Sequence, residues 1–328
     1  MRVTASLGEI SSLARGVPAS DMLLSLLLGG GLTVLFSVPL AVCIKKEKVP
    51  SVSGGFGWLY VLYFVLLQAF GQAAFLRFSV SEVHPEAQSA VVLLMASAAC
   101  GYAAFLGVEA VGRSAAVCFA LLLPVAAVAV LGNIRNAEVI NFFPLLKNSR
   151  ADVLMNALLF AANSGEIVLV AGLAGHVNGN ALRAYYASVG TSYLLIVLTV
   201  GTCIAVTGYA AQAYRYPIYT LFKMASLGSL TRLDAVHTAF WILASFLKGS
   251  AAVYAAAVCF RKVTHGKKCV AAALLSGLAA LLLSKLQPDS AVHFGIGFNL
   301  AAVALLQLAV PLLYLLLTRK RRRGRETD

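Results

Sequence analysis

The chain has 328 residues, of which 60% are hydrophobic and 12% charged, with 26 Lys and Arg against 13 Asp and Glu and a formal net charge of +13. A soluble domain usually carries about 25% charged residues, so this composition excludes an ordinary soluble enzyme. The high apolar content also excludes a disordered chain. The sequence therefore predicts an all-α polytopic membrane protein.

Nine apolar stretches are long enough, or nearly so, to cross the hydrocarbon core, which takes about 20 residues of helix. In chain order they are 22–44, 57–76, 89–108, 115–134, 153–175, 186–208, 236–260, 269–283 and 292–317. Together they form a membrane domain at 22–317, preceded by a polar N-terminal segment at 1–21 and followed by a basic tail at 318–328. The segment 1–21 has no apolar core, so it is predicted to be neither a span nor a cleavable signal.

The Lys and Arg of short loops set the orientation of such a domain. With nine alternating spans, the basic excess falls on the inner side when the C-terminus is cytoplasmic. The basic run 318–325 then serves as a stop-transfer segment and an anchor to anionic lipid. Nucleic acid is not expected as a partner. This orientation leaves the N-terminus outside, with no signal to carry it there.

The fifth predicted span carries a polar cluster at its centre, made of Asn163, Ser164, Gly165 and Glu166. Ionisable groups inside a membrane are costly and are functional-site hypotheses by default. Asn, Ser and Gly are poor helix formers, so the cluster favours a helix broken at the midplane, where freed backbone groups can hold a polar ligand. The alternative is that Asn163 and Ser164 join one helix to another.

Lys248 lies near the middle of the seventh predicted span. Its ammonium would have difficulty reaching either membrane surface, so an internal role is favoured over snorkelling. Pairing with Glu166 across a cavity is one such role, and sequence alone does not identify the partner.

The remaining patterns concern a loop and the absence of enzyme motifs. The aromatic-rich segment 209–223 predicts a re-entrant or interfacial element at the outer surface, which could cap a vestibule.

The sequence contains no HExxH, no glycine-rich dinucleotide motif with its acidic residue and no phosphate-binding loop. Its six cysteines form no CxxC pair. We expect a protein without enzymatic activity, metal or other cofactor.

Short motifs in the second half of the chain follow a distinctive order. They are 141–148 (NFFPLLKN), Gly165-Glu166, Tyr216-Pro217, Leu227-Gly228, 232–235 (RLDA), Trp241 and Phe246-Leu247-Lys248. In the first half, 16–24 and His84-Pro85 agree with the same order. Over roughly residues 14–317, the chain resembles the spore germination permease family, the B subunit of the nutrient germinant receptors of endospore-forming bacteria.

The resemblance implies a relative of the amino acid/polyamine/organocation transporters. Their fold has ten helices in two inverted five-helix repeats, with a broken first and sixth helix around a central site. The nine spans of this chain match the second to tenth of that pattern, so the resemblance implies that the first helix is missing. A late start codon or a genuine truncation would explain this, and the N-terminus would then be cytoplasmic.

The resemblance also implies a ligand site. Asn163, Ser164, Gly165 and Glu166 match the break in the family's sixth helix. Tyr60 falls on the third helix, where this fold presents an aromatic side chain to the ligand. Ser245 and Lys248 fall on the eighth helix, which in sodium-coupled relatives helps to hold the ion, and a lysine there could replace the charge of that ion.

The implied function is that of a nutrient sensor in the spore inner membrane. It would bind an amino acid or a sugar and pass the signal to A- and C-type receptor subunits. A proton-coupled amino acid transporter using Glu166 is the alternative, because sensor and carrier share the fold. A chain that no longer binds a ligand is the third hypothesis.

Overall fold

The structure is a computed structural model that describes residues 19–46, 56–143, 149–165, 167–173, 175, 179–227, 230–231, 233–260 and 265–325. Of the two flanking segments expected from the sequence, 1–21 falls almost wholly outside these ranges. The basic tail is described as far as 325, as the end of a helix.

The described residues are almost entirely helical. The α-helices are α1 (Ala19–Lys45), α2 (Gly57–Phe78), α3 (Ser89–Leu106), α4 (Val108–Leu131), α5 (Arg150–Ala162), α6 (Ile167–Leu173), α7 (Ala181–Thr207), α8 (Pro217–Met224), α9 (Asp234–Cys259), α10 (His265–Ser284), α11 (Pro288–Ala302) and α12 (Val310–Arg325). Short 3₁₀ helices lie at Ile134–Asn136, Val139–Phe142 and Gly208–Ala213, and π-helical segments at Ser79–Val83 and Val303–Ala309. Two short strands, β1 (Ser226–Leu227) and β2 (Leu230–Thr231), pair antiparallel.

Within the described ranges, nine helical segments are long and apolar enough to cross a membrane. The predicted number of spans is confirmed, and the protein is an all-α, multi-pass membrane protein with a transporter-like fold. The shortest predicted span, 269–283, lies in the longer helix α10, which begins at His265. The apolar stretch is shorter than the helix because helical geometry continues through Lys267 and Lys268.

Local sequence explains where several helices begin and end. Ser149 caps α5, because its hydroxyl oxygen accepts the backbone N–H of Asp152 at 3.2 Å. Asn180 caps α7 in the same way. A single residue, Gly107, joins α3 to α4 with φ of 100°, a value that only glycine adopts without strain.

The helices pack in two groups. In one, α1 lies against α5 and α7; in the other, α2 and α3 lie against α9 and α10. If the chain is divided into two repeats, α1, α2 and α3 correspond to α7, α9 and α10. The corresponding helices contact each other: α1 contacts α7, α2 contacts α9, and α3 contacts α10. This pairing agrees with the implied inverted-repeat architecture.

Glycine permits the closest approach within the first group. A side chain at Gly29 of α1 would place its Cβ 2.7 Å from Cβ of Phe160 and 3.0 Å from the carbonyl oxygen of Ala157, both on α5. Small residues at such crossings let membrane helices pack backbone to backbone.

The replacement Gly29→Ala should therefore destabilise the protein by about 1–3 kcal/mol through overpacking. The matched control is Gly31→Ala on the same helix, where an added Cβ meets nothing within 4 Å. Its unfolding midpoint should stay level or rise, since Ala favours helix over Gly. Thermal unfolding of the detergent-solubilised variants measures both, and equal midpoints would contradict the close α1–α5 contact.

Candidate functional site

The fifth membrane span is broken at its centre. Helix α5 ends at Ala162, a turn covers Asn163 to Gly165, and α6 begins at Ile167. Part of the turn is held by local backbone hydrogen bonds, including one from Ser164 N–H to the carbonyl of Ala161 at 3.1 Å. The predicted break is confirmed, whereas Glu166 lies outside the described residues.

Tyr193 of α7 joins the break to α1. Its hydroxyl lies 3.0 Å from Oγ of Ser164 and 2.9 Å from Oγ1 of Thr33. Both smaller hydroxyls also donate to a carbonyl of their own helix, that of Phe160 for Ser164 and that of Gly29 for Thr33. Three elements are thus tied together at the point where the fifth span loses its regular hydrogen bonding.

Two further helices reach the break. Nδ2 of Asn299, on α11, donates to Oδ1 of Asn163 at 2.7 Å. The hydroxyl of Tyr63, on α2, donates to the carbonyl oxygen of Gly165 at 3.5 Å. The ring of Tyr63 stacks on Phe298 of α11, with centroids 5.5 Å apart. The break is therefore surrounded by polar and aromatic side chains from α1, α2, α7 and α11.

The Cα of Gly165 faces two polar atoms. A Cβ added there would lie 3.1 Å from the hydroxyl of Tyr63 and 3.2 Å from Nε2 of Gln307. Gln307 belongs to the π-helical segment Val303–Ala309 and is buried. This geometry explains why a glycine suits position 165: the Cβ of any other residue would press against these two groups.

The remaining predicted site residues take different positions. Tyr60 is fully buried and its hydroxyl donates to the carbonyl of Leu306 at 3.3 Å, so Tyr63, one turn further along α2, is the tyrosine that contacts the break. Ser245 and Lys248 are half-buried on α9. Among the described contacts, no hydrogen bond or ion pair joins either of them to the break, and ligand binding by all three residues stays a prediction.

Lys248 precedes a tightly packed glycine. A Cβ at Gly249 would lie 2.5 Å from the amide of Gln68 on α2 and 2.7 Å from Sγ of Cys100 on α3. Gln68 lies about one and a half helical turns beyond Tyr63 along α2. Lys248 is therefore placed at a different level of the bundle from the turn at Gly165.

The aromatic segment 209–223 includes the short helix α8, which lies against the ends of α2 and α9. The Tyr219 hydroxyl donates to Asp234 at 3.4 Å, and Nζ of Lys223 lies 3.4 Å from Glu82 and 4.2 Å from the Tyr219 ring centre. Burial raises the pKa of Tyr219. These contacts hold α8 in place; its depth in the membrane stays a prediction.

Comparison with known families now identifies the kind of protein. A family model described as "Spore germination protein" matches residues 48–291, well over half of the chain. The chain belongs to this family. The resemblance read from the sequence is confirmed. A search of curated proteins finds no match.

The spore germination protein family comprises permease- and receptor-type membrane proteins, so this is a germination-related, multi-pass membrane protein. The matched segment contains the break and the two side chains Tyr63 and Tyr193. Thr33, Asn299 and Gln307 lie outside it. Sequence reasoning missed all five of these side chains; only Tyr63 carried a signal, because it shares a helix face with Tyr60.

Removing the Tyr193 hydroxyl should loosen the break. Tyr193→Phe deletes the hydroxyl that lies within hydrogen-bond distance of Ser164 and Thr33, a loss worth about 0.5–1.5 kcal/mol, and should lower the unfolding midpoint in detergent. The control is Tyr102→Phe on α3, whose side chain is exposed on the protein surface and should be neutral. A Tyr193→Phe midpoint equal to that of wild type would show that the hydroxyl does not hold the break.

Proposed function

We propose that this protein is the membrane subunit of a germinant receptor in the spore inner membrane, and that it binds a small nutrient at the broken fifth span. The observation that carries the proposal is the turn at Asn163–Gly165, which is hydrogen-bonded to polar side chains of three other spans. Irregular backbone at membrane depth is tolerated where it lines a cavity or is buried in protein. Family membership supports the germination role.

The groups around the break suit a polar, uncharged or zwitterionic nutrient. Hydroxyls of Tyr63 and Tyr193 and amides of Asn163 and Gln307 can donate to or accept from an amino acid or a sugar. The proposed activity is binding without catalysis.

A signal requires that the nutrient bind one conformation of the protein better than another. The break is hydrogen-bonded to α2 through Tyr63, to α7 through Tyr193 and to α11 through Asn299. A ligand that replaces one of these bonds changes the relative stability of the arrangements of three spans at once. We propose that A- and C-type receptor subunits read that change.

The first test uses spores of the strain that carries this gene, with the gene deleted or replaced by Gly165→Val. A valine there would collide with Tyr63 and Gln307, so both strains should lose dipicolinate release in response to one nutrient class. Gly190→Val on α7 is the matched control, because an added Cβ at Gly190 meets nothing within 4 Å. Uptake of the same nutrients by growing cells is measured in parallel.

The outcomes separate the candidate functions. Lost response with intact uptake supports the receptor. Normal germination with reduced uptake contradicts it and favours the alternative, a proton-coupled amino acid transporter using Glu166. No change in either, in a strain without a second receptor gene of this family, would mean that the chain binds no nutrient.

A second test concerns Lys248. A cation inside the membrane is costly, and we propose that this one stands in for the ion of sodium-coupled relatives. Lys248→Met should raise the half-maximal nutrient concentration by about tenfold or more, while Lys267→Met, at an exposed position of α10, should not. An unchanged response of Lys248→Met spores at normal protein level would exclude this role.

A further inference from the structure

The last membrane span is interrupted by a π-helical segment, Val303–Ala309, between α11 and α12. A π-helix has a wider turn than an α-helix and is frequent at functional sites. The segment is in contact with α1, and also with α6, which follows the break. Its sequence, VALLQLA, contains one polar side chain, that of Gln307.

Gln307 is 3% exposed, and its Nε2 has no hydrogen-bond partner among the described residues. Leaving a buried donor unsatisfied is unfavourable, and more so where no water is at hand. The nitrogen faces Gly165, because a Cβ built on that glycine would lie 3.2 Å away. An unpartnered donor thus lies against Gly165, at the break itself.

The π-helical segment is also held by a hydrogen bond from Tyr60. The hydroxyl of Tyr60 donates to the carbonyl of Leu306, the residue before Gln307, at 3.3 Å. Tyr60 therefore fixes the backbone that presents Gln307. This contact gives Tyr60 a positioning role, while its direct contact with a ligand stays a prediction.

A second buried glutamine, Gln72, differs from Gln307 because its side-chain amide joins two helices. Gln72 is 4% exposed and its Nε2 also lacks a described partner, but its Oε1 accepts from Oγ of Ser97 at 3.1 Å and so links α2 to α3. No such interhelical bond is described for Gln307. The two side chains have the same chemistry and burial, and differ in what they face.

We propose that Gln307 is a ligand-binding residue, and that its Nε2 donates to a carboxylate or carbonyl oxygen of the nutrient. The inference rests on the proposed function, since it places the ligand beside Gly165. It adds the last span to the site and names the chemical group that this part of the site recognises. An amine without such an oxygen would leave the donor unsatisfied.

The test measures dipicolinate release from spores carrying Gln307→Met, a replacement of similar size without a donor. The probes are the 20 common amino acids and glucose and, for any amino acid that acts, its carboxamide and its decarboxylated amine. Gln307→Met should raise the half-maximal concentration of the active amino acid and of its carboxamide by about tenfold. It should leave that of the amine unchanged.

Gln72→Met is the matched control, because it removes an equally buried amide remote from the break, and it should change none of these concentrations at equal protein level. Equal effects of the two variants would overturn the inference, as would an unchanged Gln307→Met response. A response confined to glucose, which in its ring form has no carbonyl oxygen, would overturn it as well.

Failure of the inference is distinguishable from failure of the proposed function. If Gly165→Val abolishes the response but Gln307→Met does not weaken it, the nutrient binds at the break without this donor. If neither variant changes the response, nutrient binding at the break is itself wrong.

Discussion

The constraint on which this structure depends is that backbone polar groups in the hydrocarbon core must find partners inside the protein. The turn at Asn163–Gly165 removes the regular helical ladder at the centre of a span. The surrounding helices bond to this turn: Tyr63 donates to the carbonyl of Gly165, which also accepts the backbone N–H of Val168, and Asn299 and Tyr193 bond the side chains of Asn163 and Ser164. One irregular turn thus accounts for polar side chains on three other spans.

The number of spans and the site of the break were predictable because both depend on local sequence. Apolar length defines a span, and Asn-Ser-Gly weakens a helix wherever it lies. The partners of the break were not predictable in this way. Tyr193 and Asn299 are distant in the chain, and nothing in their own neighbourhoods distinguishes them from other polar residues that join helices. Their role follows from tertiary packing. The π-helical segment also lacks a local signal, because VALLQLA suits a regular helix equally well.

The resemblance implied Tyr60 and Lys248 as site residues, and neither has a described hydrogen bond to the turn. Tyr60 and Tyr63 share a helix face, and only the depth of α2 relative to α5 decides which one meets the turn. Lys248 is beside the crossing of α9 with α2 and α3, where Gly249 admits Gln68 and Cys100. A charged side chain in a span indicates that a partner inside the protein compensates for the charge. The charge alone does not indicate at what depth in the helix bundle that partner lies.

The hydrogen bonds around the break are unequal, and this bears on how binding at the break would be transmitted. Asn299 and Tyr193 approach within 2.7 and 3.0 Å, whereas Tyr63 reaches Gly165 at 3.5 Å, the outer limit of a hydrogen bond. The described hydrogen bonds from the break to α7 and α11 are therefore shorter than the one to α2. Since α2 packs on α9 and α10, while α5 and α7 pack on α1, this longer hydrogen bond joins the two helix groups. In the proposed function, a ligand beside Gly165 would lie next to the longest of the three described bonds to the break, and would compete with that bond before the shorter ones.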